Sequence, residues 1–295
     1  MELNKKKYMS DGQFGFLLVL PSLILLSLIV LFPMLYVVYL ALFTFVRGEA
    51  KFTGLMNYIN ILFHDDKFWR YFYHSIQYIV FGVGSAFVVG LIVAMSLNII
   101  TRFKGLSRTI ALWAWAVPPV IASLMWKWIL NDTNGSLNFI LMQVGLIRSP
   151  IPWLSLPTGT MLVLSFVHAW TTIPFIMIIL LAGLQTIPVE LYEVASIDGA
   201  NAMQKFRTIT LPLLRPSILN STMISAIFAL RTFDIVFTLT RGGPGETTEM
   251  FVTYIYNTAF VFGRIGYAAA LSIIMVFTSM LMVFLFVKFL PIETD

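Results

Sequence analysis

Residues 14–41, FGFLLVLPSLILLSLIVLFPMLYVVYLA, form an uninterrupted apolar stretch that decides the class of fold. A helix rises about 1.5 Å per residue, so roughly 20 apolar residues are enough to cross the hydrocarbon core of a bilayer. Lysines precede the stretch, as in a secretory signal, but it is much longer than the apolar region of such a signal and no small-residue cleavage site follows. We therefore expect a retained first transmembrane helix.

The composition of the whole chain also indicates a membrane protein. Of its 295 residues, 59% are hydrophobic and only 11% are charged, whereas about a quarter of the residues in a soluble domain are charged. The absence of cysteine excludes disulfides and thiolate metal sites. The net charge of +5 is not gathered into a basic stripe with stacking aromatic residues, so we expect no nucleic-acid partner.

Six apolar segments predict an all-α membrane protein with six transmembrane helices. An even number of spans places both termini on one side, and the denser Lys and Arg in the short loops of that side mark it as cytoplasmic. The chain then divides into a cytoplasmic tail, 1–13, and a transmembrane domain, 14–295. The segments are residues 14–41, 74–100, 109–130, 158–184, 217–240 and 266–287.

The loop after the fourth segment, about residues 185–215, is too long to be a simple connection. Antiparallel helices need only about 2–8 connecting residues. Pro188 suits the first turn of a short helix, the pair Asp198-Gly199 favours a sharp turn, and a second helix is predicted from about residue 201 to 208. We interpret this loop as a helix-turn-helix that projects from the membrane and serves as a docking surface.

This loop is similar to the coupling loop of binding-protein-dependent ABC importer permeases, from which it departs only where Val194 replaces the usual alanine. The C-terminal stretches FDIVFTLTRGGPGETT and GYAAALS are similar to the maltose-type branch of the sugar importers. The resemblance implies a type I ABC importer permease fold, with a cytoplasmic coupling helix that fits a cleft of an ATPase. The residues that it assigns to this coupling are Glu193, Ala195, Asp198, Gly199, Ala200, Ile209, Leu211 and Pro212.

The resemblance also implies the partners and the location of the chain. The partners are a second, homologous permease, an ATPase dimer docked on the coupling loop and an extracytoplasmic solute-binding protein, in the lipid of a bacterial or archaeal cytoplasmic membrane. The sequence contains no G-x-x-x-x-G-K-[ST] motif, so we expect ATP and Mg²⁺ on the ATPase subunits and no cofactor or metal in this chain.

Two short patterns predict where a solute binds. In the fourth and fifth segments, hydroxyl, imidazole and aromatic side chains recur at helical spacing, and such groups suit a polyol. These positions also match those that line the sugar site of maltose-type permeases. For each residue the alternative is a hydrogen bond to a neighbouring helix or to its own backbone. The predicted pathway residues are His168, Thr171, Thr172, Phe175, Ser225, Phe228, Ala229, Arg231 and Thr232.

Arg231 and Asp234 are two charges inside the apolar fifth segment. Because a charge near the bilayer centre costs at least about 2.5 kcal/mol, neither should face lipid. We expect them to pair with each other or with the partner permease, and direct contact of Arg231 with the solute is the alternative.

The predicted function is that of a permease subunit, without catalytic residues, which translocates a carbohydrate that a solute-binding protein delivers. A glycerophosphate or polyol derivative is an alternative, because Arg231 suits an anion. An ion-coupled secondary transporter would need midplane carboxylates and an inverted repeat, and the sequence shows neither beyond Asp234. A membrane enzyme is disfavoured because the histidines are scattered and no His-Glu-x-x-His motif occurs.

Overall fold

The computed structural model describes residues 10–46, 49–99, 103–156 and 158–289, which are mostly helical. A short antiparallel hairpin, β1 (Phe43–Val46) and β2 (Glu49–Phe52), follows the first helix. The helices are α1 (Asp11–Ala41), α2 (Met56–His64), α3 (Asp66–Ile99), α4 (Lys104–Ala116), α5 (Pro119–Ile129), α6 (Ser136–Gln143), α7 (Thr160–Thr186), α8 (Val189–Ile197), α9 (Ala202–Leu213), α10 (Arg215–Leu230), α11 (Asp234–Leu239), α12 (Phe251–Tyr256) and α13 (Ile265–Phe289).

Four of these helices, α1, α3, α7 and α13, are long and apolar enough to cross a membrane. The number rises to six if two bent pairs, α4 with α5 and α9 with α10, each count as one span. The all-α membrane fold is therefore confirmed. Of these two bends, only the one between α4 and α5 falls inside a predicted span. Most of the predicted tail lies outside the described residues, and residues 11–13 already belong to α1, where Ser10 and Gln13 form a capping box.

The third predicted span, residues 109–130, is not one continuous helix. Its two parts, Gly105–Ala116 and Pro119–Ile129, meet at 89°. Val117 between them is extended, because a residue that precedes proline is disfavoured in the helical region. Pro118 and Pro119 also lack the N–H groups that a continuing helix would need.

The fifth predicted span, residues 217–240, is also broken. α10 ends at Leu230 and α11 begins at Asp234, so Arg231 lies at the C-terminal end of one helix and Asp234 in the first turn of the next. Helix dipoles favour a cation at the first position and an anion at the second. The second halves of the two broken spans contact each other. The ammonium of Lys127, in the last turn of α5, donates a hydrogen bond to the carbonyl oxygen of Thr238 in α11 over 2.9 Å.

The core is built on the long contact between α3 and α7. Small residues let the two helices approach closely, as is common between membrane helices: a Cβ on Gly90 of α3 would lie only 3.2 Å from the Ile176 side chain of α7. By contrast, none of the residues in the most apolar 18-residue window of α1 is buried. Only the part of α1 from Phe32 to Ala41 packs along α13.

Candidate functional site

A cavity of about 530 Å³ lies where the two broken spans meet α7. Its volume is within the range of about 300–1,000 Å³ that small-molecule sites usually have. The one predicted pathway residue that does not line it is Ala229, which is fully buried in the main hydrophobic core. The predicted residues that do line the cavity are His168, Thr171, Thr172, Phe175, Ser225, Phe228, Arg231 and Thr232.

Two buried polar atoms at this wall have no hydrogen-bond partner in the described part of the chain, the Nδ1 of His168 and the hydroxyl of Ser225. Buried polar atoms are nearly always hydrogen-bonded, so these two are exceptions that mark this wall as a candidate binding site. The Nε2 of His168 lies 3.4 Å from the hydroxyl of Thr172, and the His168 ring packs 4.9 Å from the ring of Tyr78. The polar part of the wall therefore keeps free hydrogen-bonding capacity.

The backbone hydrogen bonds that we considered as an alternative are present at two positions. The hydroxyl of Thr171 donates to the carbonyl oxygen of His168 over 2.8 Å, and that of Thr232 donates to Phe228 over 2.9 Å. Each hydroxyl oxygen still has acceptor capacity. Contact of any of these residues with a solute stays a prediction.

Arg231 and Asp234 both line the cavity, are exposed and form no ion pair with each other. The prediction that they pair with each other is therefore wrong. Arg231 lies at the C-terminal end of α10 and Asp234 at the N-terminal end of α11, where the helix dipoles stabilise these charges. Neither charge therefore needs the other as an ion-pair partner. Pairing with a second subunit stays a prediction.

Two prominent lining residues were not among the predicted pathway residues, Trp115 and Asp234. Trp115 belongs to α4, and its ring centroid lies 6.2 Å from that of Phe175 on α7, which gives the cavity an aromatic wall. No spacing signal could have found Trp115, because only the packing of the helices brings it to the cavity. Asp234 was recognised as an unusual charge and could also have been assigned to the pathway, since an acidic residue in an apolar segment is a functional candidate by itself.

Gly82 of α3 makes room for the His168 ring. A Cβ at Gly82 would lie 2.9 Å from the Cδ2 of His168, whereas one at Gly84 would meet nothing within 4 Å. An added methyl group in a packed site costs about 1–3 kcal/mol of stability. Alanine is about 1 kcal/mol more favourable than glycine in a helix, which offsets only part of this cost. We expect Gly82→Ala to lower the melting temperature in detergent by a few degrees and to reduce uptake. Gly84→Ala is the matched control, and equal behaviour of the two variants would contradict this role of Gly82.

The predicted coupling loop folds as two helices joined by a tight turn at Gly199. Gly199 has a φ of +77°, which glycine adopts without strain. The N–H of Gly199 donates to the carbonyl oxygen of Ser196 and that of Ala200 to Ala195, the two hydrogen bonds of a Schellman motif. Glu193 and Asp198 are exposed on the surface that this turn forms.

The second helix of the loop is longer than predicted. α9 begins after Asn201, which forms a capping box with Gln204, and it continues past residue 208 to Leu213. A π turn, Phe206–Thr210, precedes Pro212, which has no N–H to donate. Ile209, Leu211 and Pro212 therefore lie within α9, where Ile209 packs on the main core and Leu211 is exposed.

Comparison with known proteins identifies the chain. The family described as binding-protein-dependent transport system inner membrane component matches residues 86–291. The chain belongs to this family. This permease is 35% identical to the trehalose/maltose transport system permease protein of Thermococcus litoralis, over 92% of its own length and 91% of the relative. It is 34% identical to the sulfoquinovosyl glycerol transport system permease protein of Agrobacterium fabrum, over 92% and 88% of the two chains.

The fold of the permease is also that of a solved structure. A bacterial ABC transporter involved in the import of the acidic polysaccharide alginate contains a chain that matches it with a TM-score of 0.82 at 22% sequence identity, over 96% of this permease and 97% of that chain. The type I importer permease fold implied by the resemblance is therefore confirmed.

In this permease the glycine-rich loop after α11 is folded against the start of α3. The carboxylate of Glu246 accepts hydrogen bonds from the ammonium of Lys67 over 2.6 Å and the hydroxyl of Tyr71 over 2.7 Å. Further along, the carboxylate of Glu249 accepts a hydrogen bond from the amide of Asn257 over 2.8 Å. The loop is thus fixed by side chains from two other parts of the fold.

The pKa values of the two carboxylates of this loop are shifted in opposite directions. The hydrogen bonds from Lys67 and Tyr71 lower the pKa of Glu246, whereas burial raises the pKa of Glu249. Because its pKa is lower in the folded than in the unfolded state, ionised Glu246 stabilises the fold at any pH above its unfolded-state pKa of about 4.3. This stabilisation is lost as the pH falls through the folded-state pKa.

We therefore expect Glu246→Gln to lower the melting temperature at about pH 7 by roughly 1–3 °C, a small effect because both partners are largely exposed. The difference from wild type should shrink as the pH falls below the ordinary glutamate pKa of about 4.3 and disappear once the pH is below the lowered pKa of folded Glu246. Thermal unfolding in detergent across this range measures it, with Glu49→Gln in the exposed strand β2 as control. A difference that persists unchanged at low pH would contradict the assignment.

Proposed function

We propose that this permease translocates a carbohydrate, which a solute-binding protein delivers, through the cavity between α4, α7 and α10. The observation that carries the proposal is the composition of the cavity wall, where the free polar atoms of His168 and Ser225 lie with the aromatic side chains of Trp115 and Phe175. Sugars need donors and acceptors for their hydroxyl groups and flat apolar surfaces for their C–H faces.

The named substrates of similar proteins support a carbohydrate. The two relatives at 34–35% identity are named for trehalose or maltose and for sulfoquinovosyl glycerol. All of these molecules carry several hydroxyl groups. The neutral sugars and the sulfonated one differ in charge, so the names support the class of solute and leave its charge to experiment.

A separate ATPase dimer would drive the transport by docking on α8, with Glu193 and Gly199 as its main contacts. The exposure of α8 supports this proposal, since Val189, Val194 and Ile197 present an apolar surface in which Ile197 is 85% exposed. ATP and Mg²⁺ would then be held by the ATPase subunits. This arrangement places the coupling loop and both termini in the cytoplasm, and it requires a second permease to complete the pathway.

Uptake by the reconstituted complex tests the proposal. The complex of both permeases, the ATPase and the binding protein is assembled in vesicles, and uptake of radiolabelled maltose, trehalose, glycerol 3-phosphate and an amino acid is measured with and without ATP. ATP-dependent uptake of a sugar alone would support the proposal. Uptake of the amino acid alone, or uptake that follows an ion gradient without ATP, would overturn it.

An anionic glycerol or sugar derivative is the second candidate solute. The observation that favours it is the guanidinium of Arg231 at the cavity, which forms no ion pair with any residue that the structure describes. The carboxylate of Asp234 at the same cavity opposes it, because an anion would be repelled there. Uptake of glycerol 3-phosphate in preference to the neutral sugars would decide for this alternative.

A further inference from the structure

Two side-chain hydrogen bonds join α8 to α9 across the turn at Gly199. The hydroxyl groups of Tyr192 and Thr210 lie 2.9 Å apart, and the ammonium of Lys205 donates to the hydroxyl of Ser196 over 2.5 Å. The hydroxyl of Ser196 in turn donates to the carbonyl oxygen of Tyr192 over 2.6 Å. The two contacts lie on successive turns of both helices, so together they fix the angle between α8 and α9.

The environments of the two contacts differ. Thr210 is buried, with 5% of its surface exposed, and Tyr192 packs against the main hydrophobic core. Lys205 and Ser196 lie nearer the tip of the loop, where Ser196 is exposed. Because a hydrogen bond away from water is stronger than an exposed one, the Tyr192–Thr210 contact is the stronger of these two side-chain links between α8 and α9.

The turn itself does not hold the two helices together. A side chain at Gly199 would meet no atom within 4 Å, so the turn is open on that side. Val194 and Ile197 on the outward face of α8 are 58% and 85% exposed, so they do not anchor α8 to the bundle. A push on α8 could therefore be lost as rotation about the turn unless side chains resist it.

α9 connects this contact to the cavity. It passes into α10 through a bend of 65°, and the far half of α10 carries Ser225 and Phe228, which line the cavity. Helices are stiff along their axes, so a displacement of Thr210 moves the start of α10. Tyr192 and Thr210 thus lie between the exposed surface of α8 and the cavity wall.

We propose that Tyr192 and Thr210 are positioning residues for transport, which hold α8 at a fixed angle to α9 so that displacement of α8 moves α10 and the cavity wall. This role rests on the proposed docking of an ATPase on α8. Without the contact, ATP would still be hydrolysed, but less of the displacement of α8 would be transmitted to the cavity wall.

The first test removes single hydroxyl groups and measures the number of ATP molecules hydrolysed per solute molecule taken up by the reconstituted complex. Tyr192→Phe and Thr210→Val should each raise this ratio by roughly threefold to tenfold, the range expected for one hydrogen bond. The double variant should be no worse than either single one, because both changes break the same contact. Thr210→Ser, which keeps the hydroxyl, should restore the wild-type ratio.

The matched control is Thr208→Val on the same helix. Thr208 is exposed, and its hydroxyl donates only to the carbonyl oxygen of Gln204 within α9, over 2.8 Å. This variant should keep the wild-type ratio. An unchanged ratio in Thr210→Val, or an equal change in Thr208→Val, would overturn the proposal.

A second measurement needs neither the ATPase nor the solute. The chain has no cysteine, so cysteines introduced at the exposed positions Glu190 on α8 and Asn220 on α10 can carry two spin labels. Electron–electron distance measurements should show a broader distribution in Thr210→Val than in Thr210→Ser or Thr208→Val. Equal widths would overturn the positioning role even if the ATPase docks, whereas a wild-type permease that binds no ATPase would refute the docking alone.

Discussion

Gly199→Asp is expected to reduce uptake by the assembled importer at least about tenfold while the permease remains in the membrane. Gly199 closes the Schellman turn at a φ of +77°, which costs an ordinary residue about 1–2 kcal/mol. The new carboxylate would also lie beside Asp198 on the proposed docking surface. A free-energy change of about 1.4 kcal/mol corresponds to a factor of ten, so the backbone strain and the added negative charge together account for a tenfold loss of uptake.

The control for Gly199→Asp is Gly145→Asp. Gly145 has a φ of +72° and, like Gly199, has no atom within 4 Å of an added Cβ, but it lies in the connection after α6. The two variants therefore share the backbone strain and differ in location. Co-purification of the ATPase and uptake should fall only in Gly199→Asp, and undiminished transport in that variant would refute the docking role.

Arg231→Ala has the second largest expected effect, a loss of uptake of at least about tenfold with normal assembly. The guanidinium lines the cavity and has no ion-pair partner among the described residues. Hydrogen bonds to a charged group contribute about 1.5–3 kcal/mol, enough for this loss if Arg231 contacts the solute or the opposing wall. Initial rates of uptake and the amount of assembled complex in the membrane measure the two effects separately.

Arg148→Ala is the control for the loss of a positive charge. Arg148 is exposed in the connection after α6 and does not line the cavity. We expect its uptake to equal that of wild type. Normal uptake and a wild-type half-saturating concentration in Arg231→Ala would exclude both a solute contact and a role in closing the cavity.

The strongest local sequence signals correctly predicted the helices and the turn of the predicted coupling loop. Pro188 and the Asp198-Gly199 pair act within a few residues of themselves, and the structure has α8, the turn and α9 where they indicated. Long apolar runs likewise predicted α3, α7 and α13. The break at Arg231 was missed because hydropathy stays high on both sides of it, and the end of α10 depends on packing that no local pattern contains.

The cavity was predicted only in part, for a related physical reason. Helical spacing gathers His168, Thr171 and Phe175 on one face of α7, and the sequence shows that spacing directly. Trp115 reaches the same cavity from a helix far away in the chain, and hydropathy does not tell which helices are neighbours. Helical spacing with Ser225 and Phe228, together with the family resemblance, also placed Ala229 at the pathway, whereas its side chain is enclosed by the core.

The bare outer surface of α1 has a consequence for assembly. Lipid tails are as apolar as leucine, so a helix surrounded by lipid gains nothing from the hydrophobic effect by moving against its own bundle. The N-terminal two-thirds of α1 thus has little packing of its own, and its direction is set through the part from Phe32 to Ala41 that packs along α13. In an isolated chain we expect α1 to contact lipid along most of its length, and if the proposed second permease binds to this surface, the tilt of α1 should change when the two subunits meet.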